Sequence, residues 1–298
     1  MDTTSDIAAG RDAPAVRELA SRNAAFIAAS VLGWALLCGP TLRRLGLFWY
    51  EDPDFSHGFL VPPIALWLLF RDGRWLEAEG RGSALGLAFL SASLVLFALG
   101  DLSLVNFFRR AGSWGMLVGA FWFLFGWEPL RRHPFPWFFL LFAIPPPFEI
   151  LSPIRLGLKR LATQLAADIT SLAGVPAIPD GNVLVAAGTR LEVADACSGI
   201  RSLFAMLATA VLFAHLFRTG WPLGTLLAAS AVPVVVLWNS LRVVSIALAL
   251  AWFEVDLAHG AAHEAIGFAV FGLGVASLYL LWTFYAWLVR RRPRPEAP

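Results

Sequence analysis

The chain is 298 residues long, 58% hydrophobic and only 15% charged, with 13 Trp and 24 Phe. A soluble domain of this size carries about a quarter charged residues, so the composition excludes a soluble enzyme and requires an integral membrane protein. The net charge of +2 sits in short arginine clusters between apolar runs, a distribution that suits membrane topology and gives no reason to expect a nucleic-acid partner.

Residues 1–23 are polar, mixed in charge and followed by no recognisable cleavage site, so a cytoplasmic N-terminal tail ahead of an uncleaved first span is expected. A bilayer core of roughly 30 Å asks for about 20 apolar residues. Eight segments come close: 24–40, 58–70, 83–100, 111–127, 134–150, 197–217, 221–240 and 264–289. The predicted fold class is therefore all-α, a polytopic membrane domain over 24–289 with about eight transmembrane helices and a basic cytoplasmic tail at 290–298. A further apolar stretch, 243–253, is too short to cross alone and either continues the seventh helix or bends back; Pro233 is a kink site ahead of it. With so few residues after the last span, no appended soluble domain is expected.

Counting arginines in short loops places both termini in the cytoplasm, anchored best by "RRRPR" at 290–294. Arg43, Arg44, Arg109 and Arg110 then count as outer-loop residues. The longest hydrophilic interruption, 151–196, faces outward. In its first half Ile154, Leu158, Leu161, Leu165, Ile169 and Leu172 recur at steps of three and four, with Arg155, Lys159 and Arg160 between them. That spacing predicts an amphipathic helix on the outer membrane surface. In its second half Val183, Val185, Leu191 and Val193 alternate around Gly188-Thr189, which predicts a small hairpin leading to Cys197.

Ionisable groups at membrane depth are costly and so are functional candidates. Cys197 opens the sixth span, where the helix dipole favours a thiolate, and Arg201 follows one turn later with a charge that acts the same way. As a bland alternative, Cys197 is a small apolar filler; Cys38, inside the first apolar run, is assigned to that role. Asn239 and Arg242 are three apart and share a helix face, with Arg242 about 30 Å along the seventh helix and so at the outer edge. The bland alternative there is a snorkelling arginine. His259, His263 and Glu264 precede the last span; the "HExxH" order is absent, so no metal and no other cofactor is expected. A cysteine, an arginine and a histidine from three spans thus arrive on one side, the set that acyl transfer through a thiol needs: a nucleophile, a cation for the oxyanion and a proton carrier.

At these residues the chain resembles the exosortase/archaeosortase membrane transpeptidases. The resemblance rests on "ACSGIRSL" at 196–203, "NSLRV" at 239–243 and "HEAIG" at 263–267, in the family's order, with weaker support from "DPDFSHGFLVPPIA" at 52–65, "LLFAIPPP" at 140–147 and "GVPAIPDGNVL" at 174–184. It implies a multi-pass enzyme of the cytoplasmic (inner) membrane with its active site on the extracytoplasmic face. Its partners would be exported proteins bearing a C-terminal sorting signal, such as Pro-Glu-Pro followed by a transmembrane tail and a basic cluster, together with membrane lipids. By the same resemblance Cys197 would be the nucleophile that forms an acyl-enzyme, Arg242 the oxyanion or substrate-positioning group and His263 the general base and then acid, with Arg201, Asn239 and Glu264 in support. A substrate with a transmembrane tail must be bound laterally, so a gap between spans at the outer interface is expected.

Two readings from other classes remain open on the residues alone. One is a transporter or flippase in which Arg201 and Arg242 hold an anionic headgroup and Cys197 is incidental; the other is an intramembrane metalloprotease using His259, His263 and Glu264. Both predict tolerance of Cys197→Ala, and the second predicts sensitivity to chelators.

Overall fold

The computed structural model describes residues 15–71, 73–186, 188–192, 199–257 and 260–291. They form α-helices and one small antiparallel sheet, and the chain divides into two compact units.

The first unit comprises the chain to Glu51 and His57–Pro145. It contains α1 (Val16–Arg22), α2 (Ala24–Glu51), α3 (Val61–Arg71), α4 (Ala84–Leu102), α5 (Asn106–Phe125), α6 (Trp127–Arg132) and α7 (Pro134–Phe139). Its most intimate packing is between α4 and α5, where glycines let the two backbones touch. A Cβ on Gly112 would lie 2.6 Å from the Phe97 backbone nitrogen, and one on Gly119 would lie 2.8 Å from the Leu90 Cα; Gly86 meets Phe123 and Gly100 meets Arg109 in the same manner. Each pair steps up one helix as it steps down the other, so the two run antiparallel along a seam of small residues, the arrangement that close helix association in lipid favours. At the connecting turn Arg109 is buried against Asp101 (2.7 Å) and Asn106 (2.7 Å). Arg110 lies over the Phe48 ring of α2 at 4.8 Å from its centroid. Neither arginine is a loop residue, and Arg43 and Arg44 also fall inside a helix, because α2 continues through Pro40 to Glu51. The arginine count used to orient the chain therefore loses four of its outer-loop members.

The seam makes a direct prediction. Alanine stabilises a helix interior by about 1 kcal/mol relative to glycine, and at Gly33 of α2, where no atom lies within 4 Å of the added Cβ, Gly33→Ala gains that much at most. At Gly112 the same change drives Cβ into backbone, and the helices must separate at a cost of about 1–3 kcal/mol. Thermal unfolding in detergent should show Gly112→Ala lowered and Gly33→Ala unchanged or raised; equal shifts would remove the seam from the account.

The second unit comprises Asp52–Ser56 and the chain from Pro146 onwards. It holds α8 (Phe148–Leu172), β1 (Ala177–Asp180), β2 (Val183–Ala186), β3 (Thr189–Glu192), α9 (Ile200–Leu216), α10 (Trp221–Phe253) and α11 (Gly260–Arg291). Helix α10 is its axis. Along its first two thirds Leu227, Ala231, Val234 and Val235 pack with Met206 and Ala210 of α9 and Leu278 of α11. Trp238 donates to the Ser277 hydroxyl at 3.0 Å, which ties α10 to α11 by a polar contact. Along its last third Val243, Val244 and Ala247 pack with Ala166 and Ala167 of α8 and with Leu184 and Ala186 of β2. The stretch 243–253 thus continues the helix without a break, and Pro233 lies inside it. At 33 residues α10 is about 50 Å long, well beyond a roughly 30 Å bilayer core.

The predicted amphipathic helix exists as α8, but the face that packs is not the large apolar stripe. Leu151, Ala162, Thr163, Ala166, Ala167 and Thr170 are buried, whereas Ile154, Leu161 and Leu172 are exposed. Small side chains allow α8 to approach α10 closely, while Leu158, Leu165 and Ile169 of the stripe are half-buried, Ile169 at the edge of the core. The predicted hairpin is also present as β2–β3, with Ala186 paired to Thr189. A third strand, β1, pairs antiparallel to β2 with Pro179 opposite Leu184. It lies at the edge of the sheet, the position a proline tolerates because it has no N–H to donate.

Among the described residues four helices, α2, α4, α10 and α11, are long and apolar enough to cross a bilayer, or up to five if Pro134–Ala143 and Phe148–Leu172 form one broken span. The protein is helical with apolar, membrane-crossing helices. Each of the eight predicted segments overlaps a helix, but α3 has only 11 residues, α9 has 17, and α5 carries Arg109 and Arg110 in its first turns.

Candidate active site on helices α9, α10 and α11

Helix α9 starts at Ile200, with Gly199 at φ +74° as its N-cap and the Gly199 carbonyl accepting from the Leu203 N–H at 2.8 Å. A left-handed N-cap is readily adopted only by glycine among common residues. Among the described residues the helix begins at Ile200, and the expected placement of Arg201 one turn after Cys197 falls partly outside them. Cys197 and His259 lie outside the described residues.

Gly199 sits against α10. A Cβ built on it would be 3.5 Å from the Asn239 side-chain nitrogen and 3.6 Å from Val235. Asn239 is 4% exposed, and Arg242, one turn further on, is 8% exposed. The Arg242 Nη2 donates to the backbone carbonyl of His263 at 3.0 Å, which fastens α10 to the first turn of α11. His263 is buried, and its Nδ1 lies 3.3 Å from the Leu257 carbonyl. In the tautomer that donates from Nδ1 to this carbonyl, Nε2 is the acceptor nitrogen, as a general base requires. Glu264 is exposed and does not join this group. The structure thus sets Gly199 against Asn239 and ties Arg242 to His263, residues of three motifs spread over more than sixty residues of chain.

The guanidinium of Arg242 lies flat on α11 because Gly267 has no side chain. A Cβ there would be 3.0 Å from Nη2 and 3.2 Å from Cζ. Gly267→Ala is expected to push the guanidinium by a few tenths of an ångström and slow turnover by about tenfold, since an ångström of misplacement can cost about 10²-fold. An unaltered rate at native protein level would show that the placement of Arg242 on α11 is not used.

Arg201, the remaining supporting candidate, belongs to a second polar group. Its Nε is 3.8 Å from Oδ1 of Asp54, while Oδ2 of Asp54 accepts from Arg155 of α8 at 2.9 Å. Asp54 is 5% exposed, and sequence reasoning assigned it no role. Its signal was present in "DPDF", an acidic pair around a proline at the edge of an apolar chain, but nothing local distinguishes a buried carboxylate from a loop aspartate. Among the described residues no three carboxylate, imidazole or thiol groups converge to hold a metal.

The family profile described as transmembrane exosortase matches residues 49–293, most of the chain. The chain belongs to the transmembrane exosortase family. The match spans both polar groups, from the aspartate segment through "ACSGIRSL", "NSLRV" and "HEAIG". No curated protein and no solved structure matches the chain. Membership of this family carries a sortase-like transpeptidase function, and the exosortase resemblance read from the three motifs is confirmed by it.

Proposed function

We propose that the protein is a cysteine transpeptidase or protease that cleaves C-terminal sorting signals of the Pro-Glu-Pro type from exported membrane-tethered proteins. The observation that carries this reading is that Asn239 lies against Gly199, two residues after Cys197 in the sequence, while Arg242, one turn further along α10, bonds the His263 carbonyl. These are the groups a thiol needs for acyl transfer.

In this mechanism His263 takes the proton of the Cys197 thiol, and the thiolate adds to the scissile carbonyl carbon. Arg242, fixed by its bond to the His263 carbonyl, supplies guanidinium N–H donors to the oxyanion. The tetrahedral intermediate collapses with cleavage of the C–N bond, and the protonated His263 supplies the proton that the leaving amine requires. A thioester remains on Cys197. An acceptor, water or an amine, then gives its proton to His263 and attacks the thioester, and the thiol is restored.

The reading includes a topology. The eight apolar segments cross the inner membrane with both termini in the cytoplasm, and the last third of α10 with α8 and the sheet stands on the outer side as a small cap beside the site. The roughly 50 Å of α10 supports this, since a helix of that length spans the core and still projects from it. The exposed Ile154, Leu161 and Leu172 of α8 suit contact with the lipid surface.

The test is co-expression with an exported reporter carrying a Pro-Glu-Pro signature, an apolar span and a basic end. The account predicts a shortened reporter whose formation chelators do not affect. An intact tail would reject the substrate class, and loss of processing on adding a chelator would favour the metalloprotease.

A further inference from the structure

Segment Asp52–Ser56 packs as part of the second unit, although the chain on either side of it belongs to the first. It is held in a fixed shape. The Asp52 side chain accepts from the Asp54 N–H at 2.9 Å, and the Asp52 carbonyl accepts from the Phe55 N–H at 3.1 Å, which makes a tight turn that directs Asp54 and Phe55 inward. Phe55 is 3% exposed and packs on Phe204 of α9, with ring centroids 5.5 Å apart. Asp54 faces Arg201 of the same helix and Arg155 of α8. Arg201 and Phe204 are three apart, on one face of α9, so the segment grips that helix at two points in its first turns.

The opposite side of the same turn is where Gly199 lies against Asn239. The start of α9 is therefore held between α10 and the Asp52–Ser56 segment. We infer that Asp54 is a positioning residue: by pairing with Arg201 it sets the start of α9, and with it the placement of Cys197, two residues before Gly199 in the sequence, relative to Arg242 and His263. The inference rests on the cysteine reading above. The carboxylate is suited to the task because one buried anion attracts two guanidinium groups, bonding one and facing the other at 3.8 Å, and Asp54→Asn leaves two like charges without the anion that had drawn both helices to it. Arg155 serves as the second anchor. It joins α8 to the cluster and keeps the carboxylate buried while Arg201, 44% exposed, remains able to move without it.

The experiment uses the purified full-length protein in detergent with the tail-bearing reporter, and compares native protein with Asp54→Asn, Asp54→Glu, Arg201→Met, the double variant Asp54→Asn/Arg201→Met, and Cys197→Ala. Asp54→Asn is expected to lower kcat by about 10²-fold, the size of effect that misplacement of a site by about 1 Å produces, with KM little changed. Asp54→Glu, which keeps the charge, recovers most of the loss. In the double variant Asp54→Asn adds nothing to the Arg201→Met loss, because it acts through that residue. Native kcat in Asp54→Asn would overturn the inference. So would losses that multiply in the double variant, or a lowered melting temperature with unchanged kcat per folded molecule. Cys197→Ala separates the two levels: if it still processes the reporter the cysteine reading itself fails, whereas an inactive Cys197→Ala beside a fully active Asp54→Asn sinks only the role of Asp54.

Discussion

Cys197→Ala is expected to reduce reporter cleavage by at least about 10³-fold while leaving the amount of protein in the membrane unchanged. The physical reason is that the reaction proposed here has no second route. Water can replace the amine as acceptor of the acyl group, but nothing in the group of Asn239, Arg242 and His263 is a nucleophile strong enough to open an amide. A methyl in place of the thiol removes only a small side chain, so a loss of this size reports chemistry and not folding. The transporter and metalloprotease readings both predict a native-like alanine variant. The measurement is the ratio of cut to uncut reporter on a gel, normalised to the level of the enzyme.

Arg242 gives the second large effect. It is buried, fastened to the His263 carbonyl at 3.0 Å and laid against Gly267, so its charge and direction are both fixed before substrate arrives. Removal of one preorganised oxyanion donor typically costs about 10²–10³ in rate. Arg242→Ala is expected to lose at least that much, because it also removes the contact between α10 and the first turn of α11. Arg242→Lys separates the two contributions. It retains the charge but not the planar fork, and one ammonium cannot both hold the carbonyl and face an oxyanion. It should fold as the native protein does and still be slowed by about 10²-fold, measured as initial rate at saturating reporter. A lysine variant of native speed would assign Arg242 a purely electrostatic task.

Much of this arrangement is legible in the chain, and the parts that are not share a cause. Apolar runs locate the helices, because every span must satisfy its own backbone hydrogen bonds, and a helix is the local way to do so. The spacing of Asn239 and Arg242 shows that they share a face, and the structure places both in the buried side of α10. Lengths are harder to read. Pro40 and the arginines after it look like the end of a helix, yet α2 runs to Glu51; the apolar 243–253 leaves continuation and a bend-back equally open, and in α10 it continues. Continuation in both cases depends on neighbours: Trp49 of α2 donates to the Ala143 carbonyl at 3.0 Å, and Val243, Val244 and Ala247 are covered by α8 and the sheet.

Burial is harder still. In α8 half of the conspicuous apolar stripe, Ile154, Leu161 and Leu172, is exposed and an inconspicuous set of alanines and threonines is fully buried, because in a membrane-associated protein small side chains determine how closely helices approach, and large apolar ones are at no cost against lipid. Arg109 and Arg110 read as loop charges for the same reason: their partners, Asp101, Asn106 and Phe48, come from other turns or another helix. Asp54 is the extreme case. Its partners are Arg155 and Arg201, about a hundred and about a hundred and fifty residues away, and no local pattern could announce them.

The central claim is that an acyl group passes through Cys197. The most direct measurement is mass spectrometry of the enzyme quenched in acid during turnover of the reporter. The account predicts a fragment of the reporter, truncated at its signature, joined as a thioester to the peptide that contains Cys197, and released by neutral hydroxylamine with recovery of the free thiol. Continued cleavage of the reporter by Cys197→Ala, or an acyl adduct on any other residue, would contradict it.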